Sequence, residues 1–319
     1  MPKVIEVREV RPPRGTAFAL RDPLPWEAFA GVARSGEELG YAAVFVPEIA
    51  GRDAFAALAG LAGETRELRL GTGVVPMTSR ETLLTAMGAA TVHERSGGRL
   101  VLGVGTGAVG RGALERLREE VRALRALLAG EPVEEVRLSL HPGSSVPIWI
   151  SALGPRAMRL AGEIADGVLL NWCPPERVAF ARDRVREGAE AAGRDPSEVT
   201  VAVYVRACVE QDEALALAAL RGAAGQYASY PAYARQFEAV GLGEESAQAA
   251  AAHRAGDPGS APGSLVREVC LLGGREGALT RLAAYREAGV DLPVVYPVPA
   301  GEAVPSILES LRALAPGRA

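Results

Sequence analysis

Two successive apolar segments of the chain end in glycine-rich backbone that carries few side chains. Residues 71–74 read G-T-G-V, and residues 103–107 read G-V-G-T-G. Glycine has no Cβ atom, so another group can approach the main chain closely at these positions. Two such strand ends suit a flat ring lying against the backbone. We therefore predict that a cofactor ring contacts five residues, which are Gly71, Thr72, Gly73, Val74 and Gly105.

A third glycine marks a candidate anion site in residues 152–156, which read A-L-G-P-R. Gly154 allows a turn after an apolar segment, and Pro155 suits the first position of a helix. The free N–H groups of a helix start attract an anion, and Arg156 adds positive charge. The same spacing is also typical of an ordinary helix start. The predicted phosphate-binding residues are Ala152, Leu153, Gly154, Pro155 and Arg156.

Few reactive side chains accompany these backbone features. Glu48 ends the predicted strand 42–47 and is the candidate catalytic group, and Asn171 ends the predicted strand 167–171 and is a candidate cofactor contact. We find no Ser-His-Asp set, activated cysteine or catalytic carboxylate pair at the strand ends. Enzymes that take their chemistry from a cofactor need positioning and electrostatics more than reactive side chains. The pattern therefore favours a cofactor-dependent enzyme acting on a small molecule.

Composition argues against several other functions. The net charge of the 319-residue chain is −4, and no basic patch is interleaved with aromatic residues, so we expect no nucleic-acid partner. No apolar run approaches the roughly 20 residues of a membrane span. The three cysteines and three histidines are dispersed, which predicts neither disulfides nor a metal site. We expect a cytoplasmic protein that does not bind membranes.

The sequence predicts short apolar strands that alternate with helices, and these elements must position the candidate site residues. Eight strands with helices between them are typical of a (β/α)8 TIM barrel, whose site lies at the carboxyl ends of the strands. An open doubly wound sheet would usually carry G-x-G-x-x-G after its first strand, whereas residues 20–23 read L-R-D-P. We predict one barrel domain over 1–319, with the first fifteen residues peripheral. The predicted strands are 16–21, 42–47, 68–75, 99–105, 147–152, 167–171, 199–206 and 293–298.

One stretch is too long for the repeating pattern. Residues 212–292 follow the seventh strand and exceed one helix, so we predict an insertion after strand 7. Within it, 226–264 is interpreted as an insertion or lid segment, and 256–264 (G-D-P-G-S-A-P-G-S) as loop or mobile chain. Its position fits a lid over the site. A surface excursion or a contact between two copies in a homodimer fits equally well.

Several motifs together resemble the luciferase-like superfamily of flavin and deazaflavin oxidoreductases. They are L-G-T-G-V-V-P at 70–76, H-E-R-S-G-G-R at 93–99 and L-V-L-G-V-G-T-G at 100–107. Further similar stretches are 46–55 and 148–170. The similarity covers 16–210, resumes at 273–298 and is nearest to the methylenetetrahydromethanopterin reductase branch.

This resemblance implies a fold, a cofactor and an activity. It implies a TIM barrel that binds coenzyme F420, a deazaflavin, and transfers a hydride between its ring and a small organic substrate. It also implies a non-prolyl cis peptide bond at Gly73–Val74 beside the ring, and a cofactor phosphate at Gly154. The chain departs from the family at two strand ends, with Leu20 where the reductase branch has glutamate and Ile49 where relatives have histidine or a similar polar residue.

Two other functions remain open at this point. FMN is the alternative cofactor, because the same backbone motifs serve either ring, and an FMN enzyme would be a luciferase-like monooxygenase. The second alternative is a barrel without cofactor that acts as a ligand-binding protein, which the apolar Leu20 and Ile49 make conceivable.

Overall fold

The computed structural model describes residues 15–21, 23–107, 110–210 and 212–316. Eight parallel strands close into a barrel in the order β1, β2, β3, β5, β6, β7, β8 and β10, with β10 pairing to both β8 and β1. The predicted (β/α)8 TIM barrel is therefore confirmed. The described strands are β1 (Ala17–Ala19), β2 (Ala43–Val46), β3 (Arg69–Thr72), β4 (Val75–Pro76), β5 (Leu100–Gly105), β6 (Ile148–Ala152), β7 (Gly167–Asn171), β8 (Thr200–Val209), β9 (Cys270–Gly273) and β10 (Leu292–Pro297).

Helices that follow the barrel strands pack against the outside of the barrel through apolar side chains, as α4 shows. In α4, Leu117, Val121 and Leu124 recur at helical spacing and are buried. Within the described ranges, no helix combines the length and apolar character that crossing a membrane requires. The helices are α1 (Trp26–Glu38), α2 (Ala54–Glu64), α3 (Thr82–Arg95), α4 (Ala113–Leu128), α5 (Pro155–Ile164), α6 (Pro175–Ala191), α7 (Glu213–Ala228), α8 (Pro231–Glu238), α9 (Gly243–Arg254), α10 (Gly263–Val269), α11 (Arg275–Glu287) and α12 (Ala303–Ala313).

Aromatic side chains fill the inside of the barrel. Trp149 is buried in mid-strand, its ring centroid 5.6 Å from that of Phe45, and Phe45 lies 6.2 Å from Tyr204. A methyl group added at Gly167 would lie 2.6 Å from the Trp149 ring, so glycine is required beside this tryptophan. The interior is a packed core below the mouth, which leaves the carboxyl ends of the strands as the place for a site.

Several predicted boundaries differ in detail from the structure, and two of the differences change an element. The predicted strand 68–75 is interrupted, because β3 ends at Thr72 and β4 begins at Val75, pairing with β5. The peptide bond between Gly73 and Val74 is cis, as the resemblance implied. Residues 256–264, expected to be loop or mobile, contain the short 3-10 helix Pro258–Ser260 and the start of α10. The prediction for the first fifteen residues falls on 1–14, outside the described ranges, apart from Gly15.

The long connection after β8 folds as four helices, α7 to α10, before β9 pairs in parallel with the end of β8. These helices share an apolar cluster that includes Leu220, Phe237, Leu265 and Trp172. Gln236 on α8 donates from Nε2 to the backbone carbonyl oxygens of Trp172 and of Asn171, the latter at 2.9 Å. The insertion is thus attached to the end of β7, at the mouth of the barrel.

Candidate active site

A cavity of about 920 Å³ lies at the carboxyl ends of the barrel strands. The strand-end loops after β2 and β4 to β6 form much of its wall, and α8 contributes to it. Two predicted site residues, Gly71 and Thr72, do not line this cavity. The ten predicted residues that do are Glu48, Gly73, Val74, Gly105, Ala152, Leu153, Gly154, Pro155, Arg156 and Asn171.

The glycines in and directly after β3, and the glycine that ends β5, make room for the protein's own side chains. An added methyl group would lie 2.3 Å from the Phe45 ring at Gly71, 1.7 Å from Tyr204 Oη at Gly73, and 2.5 Å from Ser151 Oγ at Gly105. Thr72 Oγ1 donates to the carbonyl oxygen of Gly103 at 2.7 Å. Internal packing therefore explains these positions, and the sequence-based reason, close approach of a ligand, is not needed for them.

Gly154 differs from these glycines because it faces open space. It is the N-cap residue of α5 with φ −95° and no side-chain cap, and an added methyl group would meet no atom within 4 Å. Pro155 occupies the first turn, as predicted. The N–H groups of Arg156 and Ala157 point out of this first turn without an intrahelical acceptor, as at any helix start. The start of α5 thus offers two donors and a partial positive charge to the cavity.

Arginines near this helix start are not equivalent. Arg156 is exposed, lines the cavity and forms no ion pair with any described residue. Arg159 lies 3.4 Å (Nε to Oε1) from Glu163 on the same helix and does not line the cavity. Of these two arginines, Arg156 is therefore the one that remains available for an anionic ligand at the start of α5.

Glu48 lies in a network that the sequence did not predict. Its Oε2 accepts a hydrogen bond from the N–H of Ala54 at 3.1 Å and from Arg80 Nη1 at 3.2 Å. Arg80 Nη1 also donates to Asp53 Oδ2 at 2.6 Å. Asp53 caps α2 by accepting from the N–H of Ala56 at 2.8 Å.

Arg80 contributes to the electrostatics of Asp53. Partial burial raises the pKa of Asp53, but the hydrogen bond and charge of Arg80, together with the backbone hydrogen bond from Ala56, outweigh it and hold that pKa below its usual range. Arg80 lies in the loop between β4 and α3 and lines the cavity. The signal that could have found it is its place in a strand-end loop of the barrel, since these loops supply site residues. The predicted strand-end set stopped at Val74.

A second missed group lies on β8, where Tyr204 and Arg206 share one face at a spacing of two. Tyr204 Oη donates to the carbonyl oxygen of Gly73 at 3.0 Å, which fixes the backbone of the cavity wall. Burial raises the pKa of Tyr204 well above its usual value, so this phenol stays a hydrogen-bond donor. An arginine inside an otherwise apolar strand (V-A-V-Y-V-R-A-C-V) is the sequence signal for this group.

Aromatic rings surround Arg206, which is only 3% exposed. Its guanidinium carbon lies 4.4 Å from the ring centroid of Tyr296, 4.6 Å from that of Trp172 and 4.9 Å from that of Tyr227. It donates a hydrogen bond to Asn171 Oδ1, and Asn171 Nδ2 donates to Tyr233 Oη at 2.7 Å. Asn171 therefore orients the arginine and connects it to α8.

The described cavity wall contains no activated nucleophile. The three cysteines are buried and outside it, and burial raises the pKa of Cys173 to about 12 and that of Cys208 to about 11. Among the described residues, no group of three histidine, cysteine, aspartate or glutamate side chains is placed to hold a metal ion. The site can bind, orient and polarise a ligand, which is the contribution that cofactor-dependent chemistry asks of a protein.

Comparison with known proteins agrees with this architecture. A family model described as luciferase-like monooxygenase matches residues 10–292. A 5,10-methylenetetrahydromethanopterin reductase of Methanolobus tindarius is 34% identical over 224 residues, which cover 64% of this chain and 68% of that protein. The chain thus spans about two thirds of the length of this relative.

Solved structures show the same fold at lower sequence identity. The coenzyme F420 dependent tetrahydromethanopterin reductase of Methanopyrus kandleri has a TM-score of 0.79 and 22% identity, covering 95% of this chain and 98% of that one. The oxygenating constituent of 3,6-diketocamphane monooxygenase from Pseudomonas putida, in complex with FMN, has a TM-score of 0.70 and 17% identity, covering 95% and 97%. At these identities the likeness establishes the fold alone.

Proposed function

The chain belongs to the luciferase-like monooxygenase family, and from that membership we propose that it is a coenzyme F420-dependent oxidoreductase. It would transfer a hydride between the deazaflavin ring and a small organic substrate. The observation that carries the proposal is the open start of α5 at Gly154, on the same cavity as the backbone wall at Gly73 and Val74. A ring with a phosphate-bearing side chain fits that combination of features.

Hydrogen bonds within the protein fix the backbone at Gly73, where the ring would lie. The N–H of Gly73 donates to the carbonyl oxygen of Val46 at 2.9 Å, and Tyr204 Oη holds the Gly73 carbonyl at 3.0 Å. Val74 is partly exposed toward the cavity, so it supplies an apolar contact for a ring face. A bound deazaflavin would supply the hydride chemistry, and these residues would orient it and exclude water.

The phosphate would lie at the start of α5. Two N–H groups, those of Arg156 and Ala157, together with the helix dipole favour an anion there. F420 and FMN share the tricyclic ring and ribityl phosphate, whereas F420 adds an acidic tail beyond the phosphate. Arg156, exposed and without a described ion-pair partner, supports the choice of F420 because it can pair with that tail.

FMN is the second candidate cofactor, with a monooxygenase activity. Gly154 and the Gly73–Val74 wall would serve either ring, and the P. putida monooxygenase constituent with FMN shares the fold. The F420-dependent M. kandleri reductase shares that fold too. What favours F420 is the resemblance of the sequence motifs to the methylenetetrahydromethanopterin reductase branch, to which the M. tindarius relative belongs by name. The proposed catalytic role of Glu48 and the proposed lid role of 226–264 apply to either cofactor.

The proposal is tested by titrating the apo-protein with F420 and with FMN at low and moderate salt. We expect F420 to bind more tightly, with an affinity that weakens as salt screens the contact between its tail and Arg156. In Gly154→Val we expect cofactor affinity to fall at least about tenfold, roughly 1.4 kcal/mol, because the side chain occupies the phosphate position. The thermal midpoint of that variant should change little, since the new atoms meet open space.

Gly274→Val is the matched control. Gly274 is the N-cap of α11, with φ −64° and no atom within 4 Å of an added methyl group, but it does not line the cavity. Both valine variants should therefore show similar midpoints, and only Gly154→Val should lose affinity. Tight FMN binding without F420 binding would favour the monooxygenase instead. Binding of neither cofactor would favour the cofactor-less barrel.

A further inference from the structure

Arg206 carries a positive charge that no described residue neutralises. It is 3% exposed, and its one described hydrogen-bond acceptor is Asn171 Oδ1, a neutral amide oxygen. Within the described ranges, no aspartate or glutamate oxygen lies within 4.0 Å of it. A guanidinium group has five N–H donors, so most of its donors have no acceptor among the described residues. Burying such a charge without a counter-ion is costly.

The surrounding rings lower this cost only in part. Cation–π attraction from Trp172, Tyr227 and Tyr296 acts on the guanidinium carbon at 4.4 to 4.9 Å. Rings offer no acceptor to the N–H groups at the edge of the guanidinium plane. That edge matches the geometry of a carboxylate, which accepts two parallel hydrogen bonds from it. The cluster is therefore preorganised for an anion with a planar pair of oxygens.

A second cavity meets the first at this cluster. It has a volume of about 250 Å³, and Arg206, Tyr227 and Tyr296 line both cavities. Apart from Arg206 and Arg21, which is exposed, the wall of the second cavity consists of apolar or aromatic residues, and no described carboxylate contributes to it. Apolar members of this wall are Leu20, Leu24, Val298, Ala303 and Ile307.

We propose that the substrate is an organic carboxylate with an apolar body. Its carboxylate pairs with Arg206, and its hydrocarbon or aromatic body fills the second cavity. Arg206 also lines the main cavity, so the polar end of the substrate is next to the proposed cofactor position. This inference rests on the proposed function for its chemistry, but its binding site stands on the described residues alone. A phosphate ester fits less well, because Arg206 is the one buried cation among the described residues of this wall.

The test is a titration of the apo-protein, without cofactor, against straight-chain carboxylates from acetate to octanoate and against 1-hexanol. Intrinsic fluorescence is a suitable readout, because Trp172 stacks on Arg206 at 4.6 Å. We expect affinity to rise by roughly threefold to fourfold per methylene until the second cavity is full. Hexanoate should bind at least about tenfold more weakly to Arg206→Gln and to an intermediate degree to Arg206→Lys, whereas hexanol binding should stay unchanged.

A size variant tests the second cavity separately. Ala303→Phe places a ring in that cavity without touching the charge, so octanoate should lose affinity while acetate does not. If Arg206→Gln fails to fold, Arg206→Lys and Ala303→Phe still decide the question. Equal binding of hexanoate and hexanol, or unchanged hexanoate binding in a folded Arg206 variant, would overturn the proposal.

A final titration shows whether Arg206 binds the carboxylate of a substrate or an acidic group of the cofactor. Hexanoate is titrated again in the presence of saturating F420. We expect both to bind together, and mutual exclusion would assign Arg206 to an acidic group of the cofactor, contrary to the proposal. Because the first titration contains no cofactor, the carboxylate site can fail while the F420 titration succeeds, and the reverse can also occur. The two failures are therefore distinguishable.

Discussion

The two ends of the barrel treat their charged side chains differently. At the amino-terminal end, Arg99 donates to the carbonyl oxygens of Ala62, Thr65, Leu68 and Ser96 at 2.8 to 3.0 Å. At the carboxyl-terminal end, Arg206 is more deeply buried and donates to a single neutral amide. Arg99 thus completes the backbone hydrogen bonds of neighbouring turns, whereas Arg206 remains available to bind a ligand.

A carboxylate of the amino-terminal end also completes backbone hydrogen bonds, whereas a helix start at the other end is left uncapped. Glu37, at the amino-terminal end, accepts the N–H groups of Arg66, Glu67 and Leu68. Burial raises its pKa, but these hydrogen bonds outweigh that effect and leave the pKa below its usual value. The start of α5, at the other end, has no side-chain cap. Glycines alone do not distinguish the candidate site, because Gly98 marks a turn at the structural end as well. The candidate site differs by a buried arginine with a single described acceptor, which lines the same cavity as the start of α5.

Removing Arg99 should give the largest effect on stability. In Arg99→Met, four carbonyl oxygens lose their charged donor at once, so we expect the free energy of unfolding to fall by about 3 to 5 kcal/mol. Arg125→Met is the control, because Arg125 is an exposed arginine at the same end that pairs with Asp166 at 3.1 Å and should cost under about 1 kcal/mol. Denaturant unfolding measures both. Equal losses would mean that the hydrogen bonds of Arg99 carry no special stability.

The free energy of unfolding should fall at acidic pH because of His93, which lies at the amino-terminal end of the barrel. Burial, with a contribution from the charge of Arg69, lowers the pKa of His93 to about 4. An unfolded histidine has a pKa near 6.5, so between about pH 6.5 and 4 the unfolded chain binds a proton that the folded chain does not. Stability therefore falls as pH decreases, and we expect a loss of about 2 kcal/mol between pH 7 and pH 5 from this group.

The pH prediction is measured by unfolding wild type and His93→Gln at several pH values. The variant should lose this part of the pH dependence, whereas His141→Gln, at an exposed histidine of the same end, should keep it. An unchanged pH profile in a folded His93→Gln would show that His93 is not the titrating group. Cofactor affinity above pH 7 should be the same in all three proteins.

Periodic features were predictable from sequence because local composition determines them. Apolar runs gave the eight barrel strands, and proline after Gly154 gave the start of α5. The cap of α2 by Asp53 is a feature of the same kind, because aspartate is a preferred residue directly before a helix. These features depend on neighbours in the chain.

Contacts between distant strands were not predictable in the same way. Arg80 reaches Glu48 across 32 positions, and Arg206 reaches Asn171 across 35. Gly73 owes its identity to Tyr204, which is 131 positions away. No local sequence pattern encodes such pairs. The sequence analysis therefore explained these glycines by a bound ligand, whereas in the structure the packing of side chains inside the barrel requires them.

The smallest effect on stability is expected at Glu48. This side chain both takes part in structural hydrogen bonds and lines the cavity. Glu48→Gln keeps the size of the side chain and can still accept from the N–H of Ala54, and Arg80 keeps Asp53 at 2.6 Å. We therefore expect under about 1 kcal/mol of lost stability, together with a loss of turnover or cofactor affinity. The measurements are calorimetry, cofactor titration and single-turnover kinetics on the same preparations.

Asp53→Asn is the control that locates the effect of Glu48. Asparagine caps a helix as well as aspartate does, so this variant removes the other charge next to Arg80 and keeps the cap of α2. Asp53 does not line the cavity, whereas Glu48 does. If Glu48 acts directly on the ligand, only Glu48→Gln loses turnover or affinity. Equal losses in both variants would mean that Glu48 serves to position Arg80, and a lower melting temperature with unchanged affinity would make it part of the structural framework.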